Sequence, residues 1–200
     1  MFAVYPGGMA LVRKQVSDIE TLRAVAHPLR VRLLSALRAD GPATATELGR
    51  RFGESSGSTS YHLRQLARYG FVVEDEQQPS RRERRWRAVH DVTSFRPVDF
   101  LDDGVGRDAV GAMARLQLRH LVDTVERWHR EQPDWPREWV DAAEHSDLRL
   151  RLRPDDLAQL SRELFEVVQR WAGRQRPADD QPARPVSVHV LAMPTGGAAG

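Results

Sequence analysis

An α+β fold, mainly helical, follows from three patterns in this 200-residue sequence. Apolar residues recur at helical spacing in segments around 19–37, 44–69, 107–131 and 154–171. Two short β-rich runs, Phe71-Val72-Val73 and Trp86-Arg87-Ala88-Val89, bracket an arginine-rich loop. Two further runs alternate between apolar and polar as half-buried strands do, strictly from Leu148 to Arg153 and less fully from Val186 to Leu191. The predicted order is a helical group, a hairpin, and then helix, strand, helix, strand.

Composition narrows the class. An apolar content of 40% is enough to build a core. The formal charge is +2 and the sequence pI about 9.5. Residues 1–100 carry 16 Lys/Arg against 11 Asp/Glu, whereas residues 101–200 carry 14 against 17. A basic front half joined to an acidic rear half fits a polyanion-binding unit carried by a unit that avoids polyanions. Cysteine is absent, which removes disulfides, thiolate metal sites and thiol redox sensing, and fits a cytoplasmic setting. No apolar run approaches the roughly 18 residues of a membrane span, so no membrane partner is expected. Arg13 and Lys14 follow the apolar opening MFAVYPGGMALV, the reverse of a signal peptide.

The elements follow in order. Residues 1–16 are expected as a flexible N-terminus. Ser17-Asp18-Ile19-Glu20 fits a capping box, with Ser17 as the cap. Pro28 suits the first position of the next helix. Its buried face would be Leu29, Leu33, Leu34, Ala36 and Leu37, with Arg30, Arg32 and Arg38 largely outside. Asp40-Gly41-Pro42 ends it. A short helix from Thr44 or Thr46 to about Phe52 turns inward through Leu48 and Phe52, and Gly53-Glu54 makes a turn. Ser55 then caps a helix over 56–69 whose Leu63 and Leu66 face the core, with Thr59 at the edge.

The opposite face of that helix offers Ser58, Ser60, Tyr61, Arg64, Gln65 and Arg68. Its serine-rich start leaves hydroxyls and amides free near a phosphate. The hairpin tip that follows places Arg81, Arg82, Arg84 and Arg85 within five positions, a self-repelling cluster that an anion relieves. A solvated charge run is the plainer account of either feature alone. A short helix, a tight turn, a polar-faced helix and a basic hairpin together outline a winged helix-turn-helix.

His27-Pro28-Leu29-Arg30-Val31-Arg32-Leu33-Leu34, Thr46-Glu47-Leu48, Ser60-Tyr61-His62-Leu63-Arg64-Gln65-Leu66 and Gly70-Phe71-Val72 resemble the ArsR-type winged helix-turn-helix regulators. The match in order and spacing covers about residues 17–95. The resemblance implies a cytoplasmic homodimeric transcription factor, usually a repressor, with helix 55–69 in the major groove and hairpin 71–89 as the wing. Base reading falls to Ser58, Ser60, Tyr61, Arg64 and Gln65. Phosphate contacts fall to Arg81, Arg82, Arg84, Arg85, Ser55 and Ser56. Thr59 and Arg68 complete the expected DNA-binding set on double-stranded DNA. An inverted-repeat operator is the geometric consequence of two copies.

Metal-sensing members of that family use cysteine pairs or His/Asp/Glu clusters. Cysteine is absent here, and the seven histidines form no i,i+4 pair or HxxH, so no metal and no cofactor are expected. No catalytic motif stands out, so an enzyme is the least expected class.

Residues 17–97 are thus read as the winged helix-turn-helix domain and 98–106 as a linker. Residues 107–193 are read as a C-terminal dimerisation or effector domain, and 194–200 as a disordered tail. In the C-terminal half Leu157, Leu160, Leu164, Val167 or Val168, and Trp171 form a narrow apolar seam suited to helix packing. The two alternating strands are compatible with pairing to each other or across a dimer. Two further readings stay open. Trp128, Trp135, Trp139 and Trp171 suit a pocket for a small apolar effector, with the plain filling of a core as the alternative, and a winged helix also serves as a protein-interaction module.

Overall fold

The computed structural model describes residues 11–77, 84–174 and 183–195. The expected flexibility of residues 1–10 and disorder of 196–200 lie outside the described residues, as do Arg81 and Arg82. Among the described residues the protein is mainly helical, with a winged helix-turn-helix front half.

The chain enters as β1 (Arg13–Val16), which pairs in parallel with β5 (Val92–Phe95), Arg13 opposite Val92 and Val16 opposite Phe95. The flexible reading of 1–16 therefore fails at its C-terminal end. Four residues give little periodicity, and a partner 79 positions away leaves no local sign in the sequence. Helix α1 (Ile19–Val25) follows, capped by Asp18 rather than Ser17: the Asp18 carboxylate accepts from the Thr21 amide at 2.8 Å. This bond holds the Asp18 carboxyl below its usual range.

Helix α2 (Pro28–Asp40) starts on proline and buries Leu29, Leu33, Leu34, Ala36 and Leu37, as its periodicity predicts. Arg38 is also buried, against expectation. It lies one turn beyond Leu34 on the core face. Its Nε donates to the His90 carbonyl at 2.7 Å and its Nη2 to Thr93 Oγ1 at 2.8 Å. The aliphatic stem is thus buried while the head finds acceptors.

β2 (Ala43–Thr44), β3 (Val72–Glu74) and β4 (Arg85–Ala88) form an antiparallel sheet in the order β2-β4-β3. Trp86 of the central strand lies opposite both Ala43 and Glu74 and is buried. Between β2 and β3 stand α3 (Ala45–Phe52) and α4 (Ser56–Arg68). One core joins Val16, Leu22, Leu33, Leu48, Leu63, Leu66, Phe71 and Trp86.

The expected linker 98–106 is packed rather than loose. A 3-10 turn over Pro97–Phe100 buries Phe100 in the same core as Ala109 and Met113. Helix α5 (Gly104–Glu131) begins there, its first amides held by the Asp103 carboxylate at 3.2 and 3.1 Å. At 28 residues it is about 42 Å long. Gly106, Ala109, Met113 and Leu116 are buried, and none of its later residues is.

A 3-10 turn over Gln132–Asp134, α6 (Arg137–Asp141) and α7 (Pro154–Ala172) complete the helices. Helix α7 begins on Pro154 with Asp155 and Asp156 in its first turn, as expected, and buries no residue. It meets the front half through Gln169, whose Oε1 accepts the Leu11 amide at 3.0 Å, and through Phe165, 4.7 Å beneath the Arg13 guanidinium. Residues 148–153 and 186–191 form no strand. Their alternation is real, yet Leu148, Leu150, Leu152, Val186, Val188 and Val190 are all exposed. A strand exists through its pairing, and no strand of the described chain supplies it.

Candidate nucleic-acid interface

Short-range chemistry builds this unit. Thr44 and Glu47 form a reciprocal capping box on α3: the Glu47 amide donates to Thr44 Oγ1 at 3.2 Å and the Thr44 amide to Glu47 Oε2 at 2.7 Å. These bonds hold the Glu47 carboxyl below its ordinary range. Gly53 ends the helix in the left-handed region at φ 70°, where a side chain is strained. Gly49 has a different task. A Cβ there would meet the Glu54 carbonyl oxygen at 2.8 Å and Thr59 Oγ1 at 3.3 Å, so only glycine lets α4 start this close to α3.

Ser55 caps α4 as the sequence predicts, its hydroxyl oxygen accepting the Ser58 amide at 3.1 Å. Thr59, Leu63 and Leu66 form the buried face. Thr59 is therefore removed from the DNA-binding set. It is fully buried, and its hydroxyl donates to the Ser55 carbonyl at 3.0 Å, so it tightens the first turn instead of facing solvent. Ser55, Ser56, Tyr61, Arg64 and Arg68 are exposed, and Ser58, Ser60 and Gln65 are half-exposed. Tyr61, Arg64 and Arg68 fall on one face at intervals of three and four. Tyr61 is 53% exposed, a large ring left in water.

Among the described residues the wing sends Arg84 and Arg85 in different directions. Arg84 pairs with Glu74 across the hairpin at 2.6 Å, with both side chains largely exposed. Such a pair contributes little, so exchange for another anion costs little. Arg85 turns the other way: Nε and Nη2 donate to the Pro42 carbonyl at 3.1 and 2.9 Å. It anchors β4 to the loop before α3, and phosphate contact is not its role in this geometry. Arg50 and Arg51, outside the expected DNA-binding set, are exposed cations in the last turn of α3. Arg51 pairs with Asp40. Their place on the first helix of the pair was the available signal, since that helix crosses the DNA backbone in such folds.

No group of three or more His, Asp or Glu is arranged to hold a metal ion among the described residues. No described helix is long and apolar enough to cross a membrane.

Residues 25–75 match the family described as Helix-turn-helix domain. Among solved structures the chain is similar to HlyU from Vibrio cholerae, with 25% identity, a TM-score of 0.31, and 36% of this chain and 74% of that chain covered. It is also similar to a mutant MarR from E. coli, with 15% identity, a TM-score of 0.30, and 76% and 88% covered. A third similarity is to the adhesin competence repressor AdcR from Streptococcus pyogenes, with 12% identity, a TM-score of 0.28, and 73% and 81% covered. No curated protein matches the chain. The capped helix pair, the glycine contact between its helices and the hairpin that follows agree with the family match. Residues 25–75 thus match a helix-turn-helix domain, and with the hairpin that follows they build a winged helix-turn-helix fold.

Proposed function

We propose that the protein is a sequence-specific DNA-binding transcriptional regulator, a repressor, acting in the cytoplasm as a homodimer on an inverted-repeat operator. The observation that carries this reading is the division of α4. One face is locked in the core by Thr59, Leu63 and Leu66, while Tyr61, Arg64 and Arg68 stand in solvent on the other. In this reading Arg64 reads guanine and Gln65 adenine, with Ser58, Ser60 and Tyr61 contacting bases less selectively. Ser55, Ser56, Arg68 and Arg84 hold phosphates, together with Arg81 and Arg82.

Dimerisation is assigned to residues 107–193. Leu118 and Val122 on α5, and Leu164, Val167 and Trp171 on α7, are apolar side chains that stand exposed among the described residues. A second copy covers such faces and sets two α4 helices about one DNA turn, roughly 34 Å, apart.

Selection of binding sites from random duplex DNA tests the proposal. An enriched inverted repeat supports it, and a pool that stays unenriched after repeated rounds rejects it.

One observation favours an added effector. A cavity of ≈ 470 Å³ lies between β1, α7 and the C-terminal segment, lined by Arg13, Ser161, Arg162, Phe165, Glu166, Val190 and Ala192. Clefts for small ligands span about 300–1,000 Å³. Trp128, Trp135 and Trp139 pack against one another at 5.7 and 6.0 Å, so the effector reading moves to this groove, where apolar Phe165, Val190 and Ala192 stand among Arg13, Ser161, Arg162 and Glu166. Thermal shifts across a panel of small apolar compounds test the reading, and a melting point that none of them raises counts against it.

A further inference from the structure

Two histidines join α2 to the exposed helix α4, and their geometry bears on how α4 is held. The inference rests on the DNA-binding reading above. His27 precedes Pro28 and is extended, with φ −135° and ψ 133°, as a residue before proline prefers. In that conformation its Nδ1 accepts the Leu29 amide at 3.2 Å and caps α2. A ring nitrogen that accepts carries no proton, so the His27 proton sits on Nε2. The ring lies against His62 of α4, with centroids 4.5 Å apart and planes inclined by 32°. His62 Nδ1 is buried without a hydrogen-bond partner among the described residues, and Tyr61 meets its ring edge-on at 5.1 Å.

The charged and titratable groups around the pair come from each neighbouring element. Arg30 of α2, Glu54 of the turn between α3 and α4, and Tyr61 of α4 bear on the rings, and Tyr69 bears on Arg30. Arg30 is held in place by a bond from Nη2 to the Arg23 carbonyl at 3.0 Å. Burial first, and the Arg30 charge second, hold both histidines below their ordinary range, with Glu54 opposing.

We propose that His27 and His62 are positioning residues for DNA binding: as neutral rings they lock α4 onto the start of α2, and a proton on either loosens the lock and weakens the grip on DNA. A proton on His27 Nδ1 removes the cap acceptor. It also sets a positive charge at a helix N-terminus, where the dipole is already positive, beside Arg30 and the second imidazole. The locked state binds fewer protons than the loosened one. Its stability is therefore complete above the ordinary histidine pKa of about 6.5 and falls as pH drops below it. The sign is diagnostic. Added positive charge by itself strengthens attraction to phosphate, so simple charging of histidines moves affinity the other way.

The test compares the full chain with its His27→Asn variant between pH 7.5 and 5.5 at fixed ionic strength. Asparagine caps a helix from an extended backbone and does not titrate. Two quantities are measured: the thermal midpoint without DNA, and Kd for the duplex enriched by site selection. The natural sequence is expected to lose thermal stability and to bind severalfold more weakly at the lower pH. The variant, in which His62 and the other part-buried histidines still titrate, is expected to show a clearly smaller loss of both. An equal acid loss in both proteins, or an affinity of the natural sequence that stays level or rises on acidification, overturns the proposal. If His27→Asn does not fold, His62→Gln takes its place with the same expectations. If no duplex is bound at pH 7.5 while the acid loss of stability is present and the variant reduces it, the DNA-binding reading is overturned and the lock between the helices is upheld.

Discussion

Arg85 donates twice to the Pro42 carbonyl, at 3.1 Å through Nε and 2.9 Å through Nη2, and so ties the wing's return strand to the loop that starts α3. Its neighbour Arg84 points away to Glu74 in solvent. Adjacent arginines in one basic run thus hold different offices. Arg85→Ala is expected to lower stability by about 1–3 kcal/mol, the range for hydrogen bonds from a charged donor. Arg84→Ala is expected to leave stability within about 0.5 kcal/mol and to reduce the salt slope of DNA binding by about one. Urea unfolding and binding titrations at several salt concentrations separate the two, and equal effects of both substitutions on stability would contradict this division.

Arg64 projects from the exposed face of α4 without a part in the core. Arg64→Ala is expected to cost about 1–3 kcal/mol against the preferred base at a single operator position and to relax selectivity there. Affinities for a set of single-base operator variants check it. Uniform weakening across the set would reassign Arg64 to the phosphate backbone.

Two glycines of the helix pair are expected to respond oppositely to alanine. At Gly49 the new Cβ meets a backbone oxygen at 2.8 Å, and at Gly57 it meets nothing nearer than Ser55 Oγ at 3.9 Å. Gly49→Ala is expected to destabilise by about 1–3 kcal/mol through forced separation of α3 and α4. Gly57→Ala is expected to stabilise by about 0.5–1 kcal/mol, since alanine loses less freedom in a helix. Denaturant midpoints of the two variants without DNA decide the matter.

Leu164 and Val167 of α7 are exposed on a helix with no buried residue. With both changed to glutamate, the homodimer proposed above is expected to dissociate at micromolar concentration. Half-site binding should persist and binding to the full inverted repeat weaken. Sedimentation analysis beside DNA titration reads both, and an unchanged mass would move the interface elsewhere.

The helices and their ends were readable in the residues because the forces that make them act within a few positions. Pro28 at a first helical position, the Ser55 cap, and the leucine spacing of α2 and α4 all state their structure locally. The capping box Thr44/Glu47 is equally local, though Thr44 and Thr46 are both fit to start that helix. The candidate DNA face followed from the same periodicity, which places Tyr61, Arg64 and Arg68 opposite Leu63 and Leu66. Near an edge of a helical stripe one position decides exposure, and Thr59 falls on the buried side of that edge.

Partnership between distant residues left no such mark. Arginine reads as a surface residue in any sequence, yet Arg38 and Arg85 turn inward because carbonyls of His90 and Pro42 come within reach. β1 is too short to announce itself and exists through β5. The runs 148–153 and 186–191 show the converse: alternation marks a capacity to pair, and no strand of the described chain takes it up. Helical order is a property of a segment, readable from its own residues. Strand pairing and the burial of a charged head are properties of two segments brought together, and tertiary packing alone brings them there.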